Sequence, residues 1–186
     1  QHSGTGIGTG IAVQPRRCRA DSTPGRAYRQ TRSGAATKLA GVTAPNLTRD
    51  QARARAAIID VAHYAIDLDL TDGAGAPGEK TFASTTTVRF TATPGESTFI
   101  DLVAPELVSA TLNGTPVDVS GFDESVGLRL GDLAADNELT VVANCAYSNT
   151  GEGLHRFVDP TDNAVYLYSQ FETADAKRMF ACFDQP

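Results

Sequence analysis

The spacing of apolar residues changes once along this chain. Between about Thr48 and Ile59 the residues suit a helix. Thr48 fits the N-cap, and Gln51 three positions later completes a capping box. Asp50 favours the positive end of the helix dipole, and Arg53 and Arg55 flank alanines, which are strong helix formers. Beyond that point the period is two, the signature of strands with one buried face. Tyr64, Ile66, Leu68 and Leu70 face one way, while Ala65, Asp67 and Asp69 face the other.

Turn signals divide the strands. Asp72-Gly73 and Pro77-Gly78 break the first, and Phe82, Val88 and Phe90 share the inner face of the next with Ser84 and Thr86 between them. Pro94-Gly95 turns the chain, and Ile100 and Leu102 continue the pattern. Val108, Ala110 and Leu112 lead to Asn113-Gly114, a dipeptide that tolerates the positive φ of a tight hairpin, and Val117 and Val119 return. Val126, Leu128 and Leu130 form another short strand. Leu139, Val141, Ala143, Cys145 and Tyr147 form the cleanest one. At least seven short strands with regular turns predict a mainly β domain, an antiparallel sandwich or open saddle preceded by one short helix.

Charge divides the chain more sharply than hydropathy does. Residues 1–44 hold seven basic side chains, from Arg16 to Lys38, and one acid, Asp21, so they carry +6 against −12 for the rest. This basic segment has no hydrophobic period. Its glycine run, Gly4 to Gly10, follows no strand and lacks the third glycine of a dinucleotide fingerprint. The expected organisation is a disordered or non-native upstream segment over 1–44 and a β domain over 45–186. Val42, a possible bacterial initiator, is the expected start of the native protein, since the chain opens on Gln1 and its single methionine is Met179.

Several function classes drop out. A domain at −12 repels nucleic acid, and the chain has no Trp and few aromatic platforms for stacking bases. No apolar run approaches the roughly 20 residues of a membrane-spanning helix. Neither nucleic acid nor a membrane is therefore an expected partner. Cys18, Cys145 and Cys182 are odd in number, far apart and without a C-x-x-C pair, which suits reduced thiols in a cytoplasmic protein. Acidic side chains occupy outward positions and turns, without the spacing of a calcium loop.

One segment breaks the alternation. From Tyr168 to Pro186 the chain reads YSQFETADAKRMFACFDQP. Gln170 and Glu172 stand two apart, so an extended strand would put both on one side. A carboxylate and an amide carbonyl on one face can grip an ammonium group. This segment resembles the aminopeptidase N family: a glutamine, any residue and a glutamate, then a short helix containing Arg178, then Cys182-Phe183-Asp184-Gln185-Pro186. Gly153-Leu154 followed by Tyr166-Leu167-Tyr168 is similar to the family's approach to this motif. Ala181 departs from it, since many members have proline there, and His155 replaces a common tyrosine.

The resemblance implies that Gln170 and Glu172 bind the free α-amino group of a peptide substrate. It implies zinc in the complete enzyme, held by an H-E-x-x-H pair of histidines and a distant glutamate. His2, His63 and His155 have no such spacing, and the family's Gly-Ala-Met-Glu-Asn sequence is absent. The expectation is an inactive fragment with no catalytic residue and no metal of its own, completed by a catalytic domain beyond Pro186. The rival expectation is a free-standing β-sandwich binding module, which accounts for the strands and the acidity but not for the closing motif.

Overall fold

The computed structural model describes residues 46–184. The expected basic segment, the Val42 start and Cys18 lie outside the described residues, as do Gln185 and Pro186. The helix α1 spans Arg49–Ala56, with Thr48 as its N-cap and both arms of the capping box formed. It is shorter than the pattern predicts, because Ile59 already opens the first strand.

Nine strands follow among the described residues: β1 Ile59–Asp69, β2 Thr81–Ala92, β3 Thr98–Ile100, β4 Glu106–Leu112, β5 Thr115–Pro116, β6 Leu128–Leu130, β7 Asp136–Ala146, β8 Gly153–Val158 and β9 Val165–Gln170. Five form one antiparallel sheet in the order β1-β2-β7-β4-β5, while β3 pairs β6 and β8 pairs β9. The domain is mainly β, with the antiparallel sheets that the sequence predicts and, among the described residues, the one short α-helix expected before them.

The pair β2–β7 is the spine. Phe82, Ser84, Thr86, Val88 and Phe90 stand opposite Cys145, Ala143, Val141, Leu139 and Asn137, all on the buried face. The outer face carries Thr87 against Thr140 and Arg89 against Glu138, an exposed pair at 2.7 Å. Ile100 from β3, Leu128 and Leu130 from β6, and Met179, Ala181 and Phe183 from the C-terminal stretch close over the inner face in one cluster. Burial of such side chains contributes ~1.5–3 kcal/mol each before entropy is counted.

Two register shifts, between Val61 and His63 in β1 and between Leu107 and Ser109 in β4, depart from strict alternation. A bulge adds one residue to one strand and moves later side chains to the other face. Val108, expected inside with Ala110 and Leu112, is consequently 48% exposed, and Leu107 takes the half-buried place. Val117, Val119 and Val126 lie outside strands, and Val117 and Val119 pack on the core from loops. The Asn113-Gly114 turn is as expected, with φ of 53° and 78°.

Candidate functional site

Gln170 is the last residue of β9, and the strand stops there. Glu172 belongs to the turns that follow, and its peptide bond to Thr173 is cis. The two side chains therefore do not lie on one extended strand, which corrects the strand geometry predicted for them. They are linked instead by a local bond: the Glu172 amide donates to Gln170 Oε1 at 3.0 Å. That oxygen keeps a second lone pair. Both residues are exposed. Arg178 pairs with Asp175 at 2.7 Å and with Glu152 at 3.5 Å rather than with Glu172.

The segment after Glu172 is built firmly into the domain. A short 3-10 helix covers Ala176–Arg178. The Val103 amide donates to the Lys177 carbonyl at 2.7 Å, and Asp101 and Cys182 exchange two backbone hydrogen bonds, at 2.9 and 3.0 Å. Lys177 Nζ donates to Asn46 Oδ1 at 3.0 Å, which ties the motif to the residues before α1. Phe183 is fully buried, edge-on to Phe90 at 5.1 Å between ring centroids.

Beneath this segment lies an ion pair that the sequence reading missed. Arg55 of α1 is 2% exposed and donates from Nη1 to Asp101 Oδ2 at 2.8 Å and to the Phe99 carbonyl at 3.2 Å. Its guanidinium sits over the rings of Phe99 and Phe183, at 4.9 and 5.7 Å from their centroids. Arg55 shares a face of α1 with Gln51 and Ala52, both half-buried. A lone basic residue on a helix's inward stripe was the available signal. Burial raises the Asp101 carboxyl above its ordinary range, outweighing the opposing pull of Arg55. Burial likewise pushes the thiols of Cys145 and Cys182 and the phenol of Tyr64 up to about 12.

His63 is exposed on β1. His155 is on β8, where its ring stacks on Tyr168 at 4.6 Å and its Nδ1 accepts from the Gly151 amide at 3.0 Å. Asp184 is exposed. Among the described residues no group of three or more His, Cys, Asp or Glu side chains is placed to hold a metal ion. An open cleft bordered by Asp69, Lys80, Asn144 and Arg156 includes neither Gln170 nor Glu172.

A scan against family models finds no match. Aminopeptidase N from Streptomyces lividans is 54% identical over 143 residues, which is 76% of this chain and 16% of that protein. The chain thus spans about a sixth of the curated relative's length. Among solved structures, native leukotriene A4 hydrolase from Saccharomyces cerevisiae superposes with a TM-score of 0.50 at 16% identity, over 70% of this chain and 22% of the other. That likeness concerns the fold alone. An M1 zinc metallopeptidase from Deinococcus radiodurans, solved with a Tyr-Ser-Ala substrate, gives 20% identity over 69% of this chain and 30% of its own, at a TM-score of 0.45. On the 54% identity, the closing motif and the fold, this chain belongs to the aminopeptidase N family and corresponds to its amino-terminal β domain.

Proposed function

We propose that this domain recognises the free α-amino group of a peptide for a zinc aminopeptidase whose catalytic machinery lies elsewhere in the polypeptide. The observation that supports it best is the Gln170–Glu172 unit. It is exposed, held by its own hydrogen bond, and Glu172 takes part in none of the described ion pairs. A carboxylate in this state is available to a cation. Near neutral pH the amine of a peptide, with an ordinary pKa of roughly 7.7–8.0, is largely protonated. A charge-assisted bond from that ammonium to Glu172, with Gln170 as a second acceptor, rewards a free amino terminus. A chain that continues past that point brings a neutral amide in place of the ammonium and forfeits the charge-assisted bond. The same contact would restrict a peptidase to the first residue of its substrate. On this reading the chain by itself cleaves no aminoacyl amide, and zinc is bound by residues outside it.

The experiment is a double cycle in the full-length polypeptide, with Glu172 or Gln at the position and with free or acetylated substrate amines. Glu172→Gln keeps the shape and loses the charge. With the catalytic part of the polypeptide closing over this carboxylate, a loss of about 2–4 kcal/mol, or about 30- to 1000-fold in kcat/KM, is expected for free amines and little for blocked ones. Zinc content should not change. Activity on free amines within about twofold of wild type would place the amine anchor elsewhere.

A further inference from the structure

The loop that joins β1 to β2 is tied down at both ends. The Gly78 amide donates to the Leu70 carbonyl at 3.0 Å, and the Tyr147 phenol donates to the same oxygen at 3.0 Å. Thr71 and Pro77 form a bridge across the loop. Arg156 of β8 reaches in and donates from Nε to the Gly78 carbonyl at 2.8 Å. Gly78 is buried, and an added Cβ would lie 2.7 Å from the Thr81 carbonyl oxygen, so only glycine lets the chain close this tightly. The loop, the start of β2 and Arg156 line an open cleft of about 620 Å³, a volume within the range of small-ligand sites. Because the loop is held by bonds to β7 and β8, the cleft is preformed.

Its lining carries charges of both signs. Lys80 and Arg156 are the cations, and Asp69, Asp72 and Glu79 the acids. The Arg156 bond at Nε fixes the plane of the guanidinium and leaves both Nη groups without a partner among the described residues. Glu79, Lys80 and Arg156 enter none of the described ion pairs. The Thr71 hydroxyl and amide both donate to Asp69 Oδ1, at 2.7 and 2.9 Å, and hold that carboxyl below its ordinary range. Asp69 therefore stays ionised with its second oxygen free. Three carboxylates repel a simple anion, and two cations repel a simple cation. A ligand that carries both charges is opposed by neither set. We propose that this cleft binds a small zwitterion, a free α-amino acid or a short unblocked peptide, with its carboxylate on Arg156 and Lys80 and its ammonium on Asp69 and Glu79. A guanidinium with two free Nη groups suits a carboxylate, and an ionised carboxyl suits an ammonium. Removal of an N-terminal residue releases such a molecule. The inference nevertheless rests on the charges of a cleft that includes neither Gln170 nor Glu172, so it and the role given to Glu172 fail separately.

The test is a titration of this chain, labelled with nitrogen-15, followed by the amide shifts of residues 69–80 and 156. Cooperative thermal unfolding first establishes that the chain is folded. Four probes separate the charges: alanine, dialanine, alaninamide, which has no carboxylate, and N-acetylalanine, which has no ammonium. Alanine or dialanine should give saturable shifts confined to the cleft. Whichever of the two binds more tightly assigns the site to a single amino acid or to a short peptide, and either supports the proposal. Alaninamide and N-acetylalanine should each bind at least about fivefold more weakly, the worth of one exposed charge pair. Lys80→Gln and Glu79→Gln alter exposed side chains and should leave the melting temperature unchanged. Each should weaken the zwitterion about fivefold, Lys80→Gln with no effect on alaninamide and Glu79→Gln with none on N-acetylalanine. Three outcomes overturn the proposal: no saturable shift in the cleft with either zwitterion, equal affinity for a singly charged probe, or unaltered zwitterion binding in both variants.

Discussion

The backbone amide of Phe183 donates to the phenolic oxygen of Tyr64 at 3.0 Å, a bond that spans 119 residues and ties the closing motif to the first strand. Tyr64 lies on the half-buried face of β1, and Phe183 is fully buried. No other acceptor is described for that amide. Tyr64→Phe should therefore leave a buried N–H unsatisfied and cost about 1–3 kcal/mol, more than the net value of an ordinary hydrogen bond. Urea denaturation should show a lower midpoint at unchanged slope. Equal stability of the variant would mean that the amide finds another partner and the link is dispensable.

The Arg55–Asp101 pair should behave as a buried ion pair whose halves are unequal. Asp101→Ala leaves the guanidinium with only the Phe99 carbonyl and two ring faces, and should cost about 3–5 kcal/mol. Asp101→Asn keeps an acceptor and should cost less. The pH dependence has a definite sign. The Asp101 carboxyl is raised in the folded state, so the native protein holds this proton more tightly than the unfolded chain does. That contribution is fully present below the ordinary value of 3.8 and is lost as pH rises through the folded one. Wild type should consequently gain on Asp101→Asn as pH falls. The opposite trend would show that the ion pair, not burial, governs Asp101. Asp69, Asp118 and Asp123 act the other way, since turn hydrogen bonds lower each of them.

How much of this was legible in the chain depended on whether the information was local. Thr48 and Gln51 specify the cap within four residues, and the capping box forms as written. Strands β2 and β7 follow the period of two from end to end because neither contains a bulge. Val108 was misplaced because a bulge is set by the partner strand, and nothing in Glu106–Leu112 announces it. The Gln170–Glu172 unit was legible as a motif but not as geometry: the strand ends at Gln170 itself, and the amide-to-side-chain bond replaces the expected alternation. Arg55 was hidden by its type. A basic residue in a short helix is usually solvated, and only the fold supplies Asp101 and the rings of Phe99 and Phe183 around it.

Gly153 sits where the hairpin meets the closing segment. Its φ is +63°, and an added Cβ would lie 2.8 Å from Arg178 Cβ. Strain and overlap act together there, and neither can be relieved by rotating a flexible side-chain end. Gly153→Ala should destabilise the chain by about 1–3 kcal/mol. It should also raise amide hydrogen exchange in β8, β9 and residues 171–178 before the rest of the domain. Gly95, also at positive φ but with open space around it, is the control, and its substitution by Ala should cost less. If the two substitutions cost the same, the contact with Arg178 carries no weight.

The three groups raised to about 12, Cys145, Cys182 and Tyr64, should make the domain sensitive to alkali well before it reaches that pH. Their ordinary values are 9.0 for the thiols and 10.0 for the phenol. Between those values and about 12 the unfolded chain gives up protons that the native state keeps. Unfolding therefore becomes easier as pH rises, and each such group contributes about 1.4 kcal/mol per pH unit once it is ionised in the unfolded state. From pH 8 to pH 10 the two thiols and the phenol should together remove roughly 3 kcal/mol. The loss should be complete only above the folded values. Replacing both cysteines, as Cys145→Val with Cys182→Ala, opens or fills space and shifts stability at every pH, but it should flatten the slope between pH 8 and 10. The slope is what distinguishes titration from packing. An independent measurement is peptide-resolved alkylation. Both thiols should react only in step with global unfolding, since a buried, protonated sulfur is a poor nucleophile. An unchanged slope in the double variant would show that the thiols do not carry the alkaline loss, and alkylation of Cys182 at the rate of a free thiol at pH 8 would show that the motif around Phe183 opens without the domain unfolding.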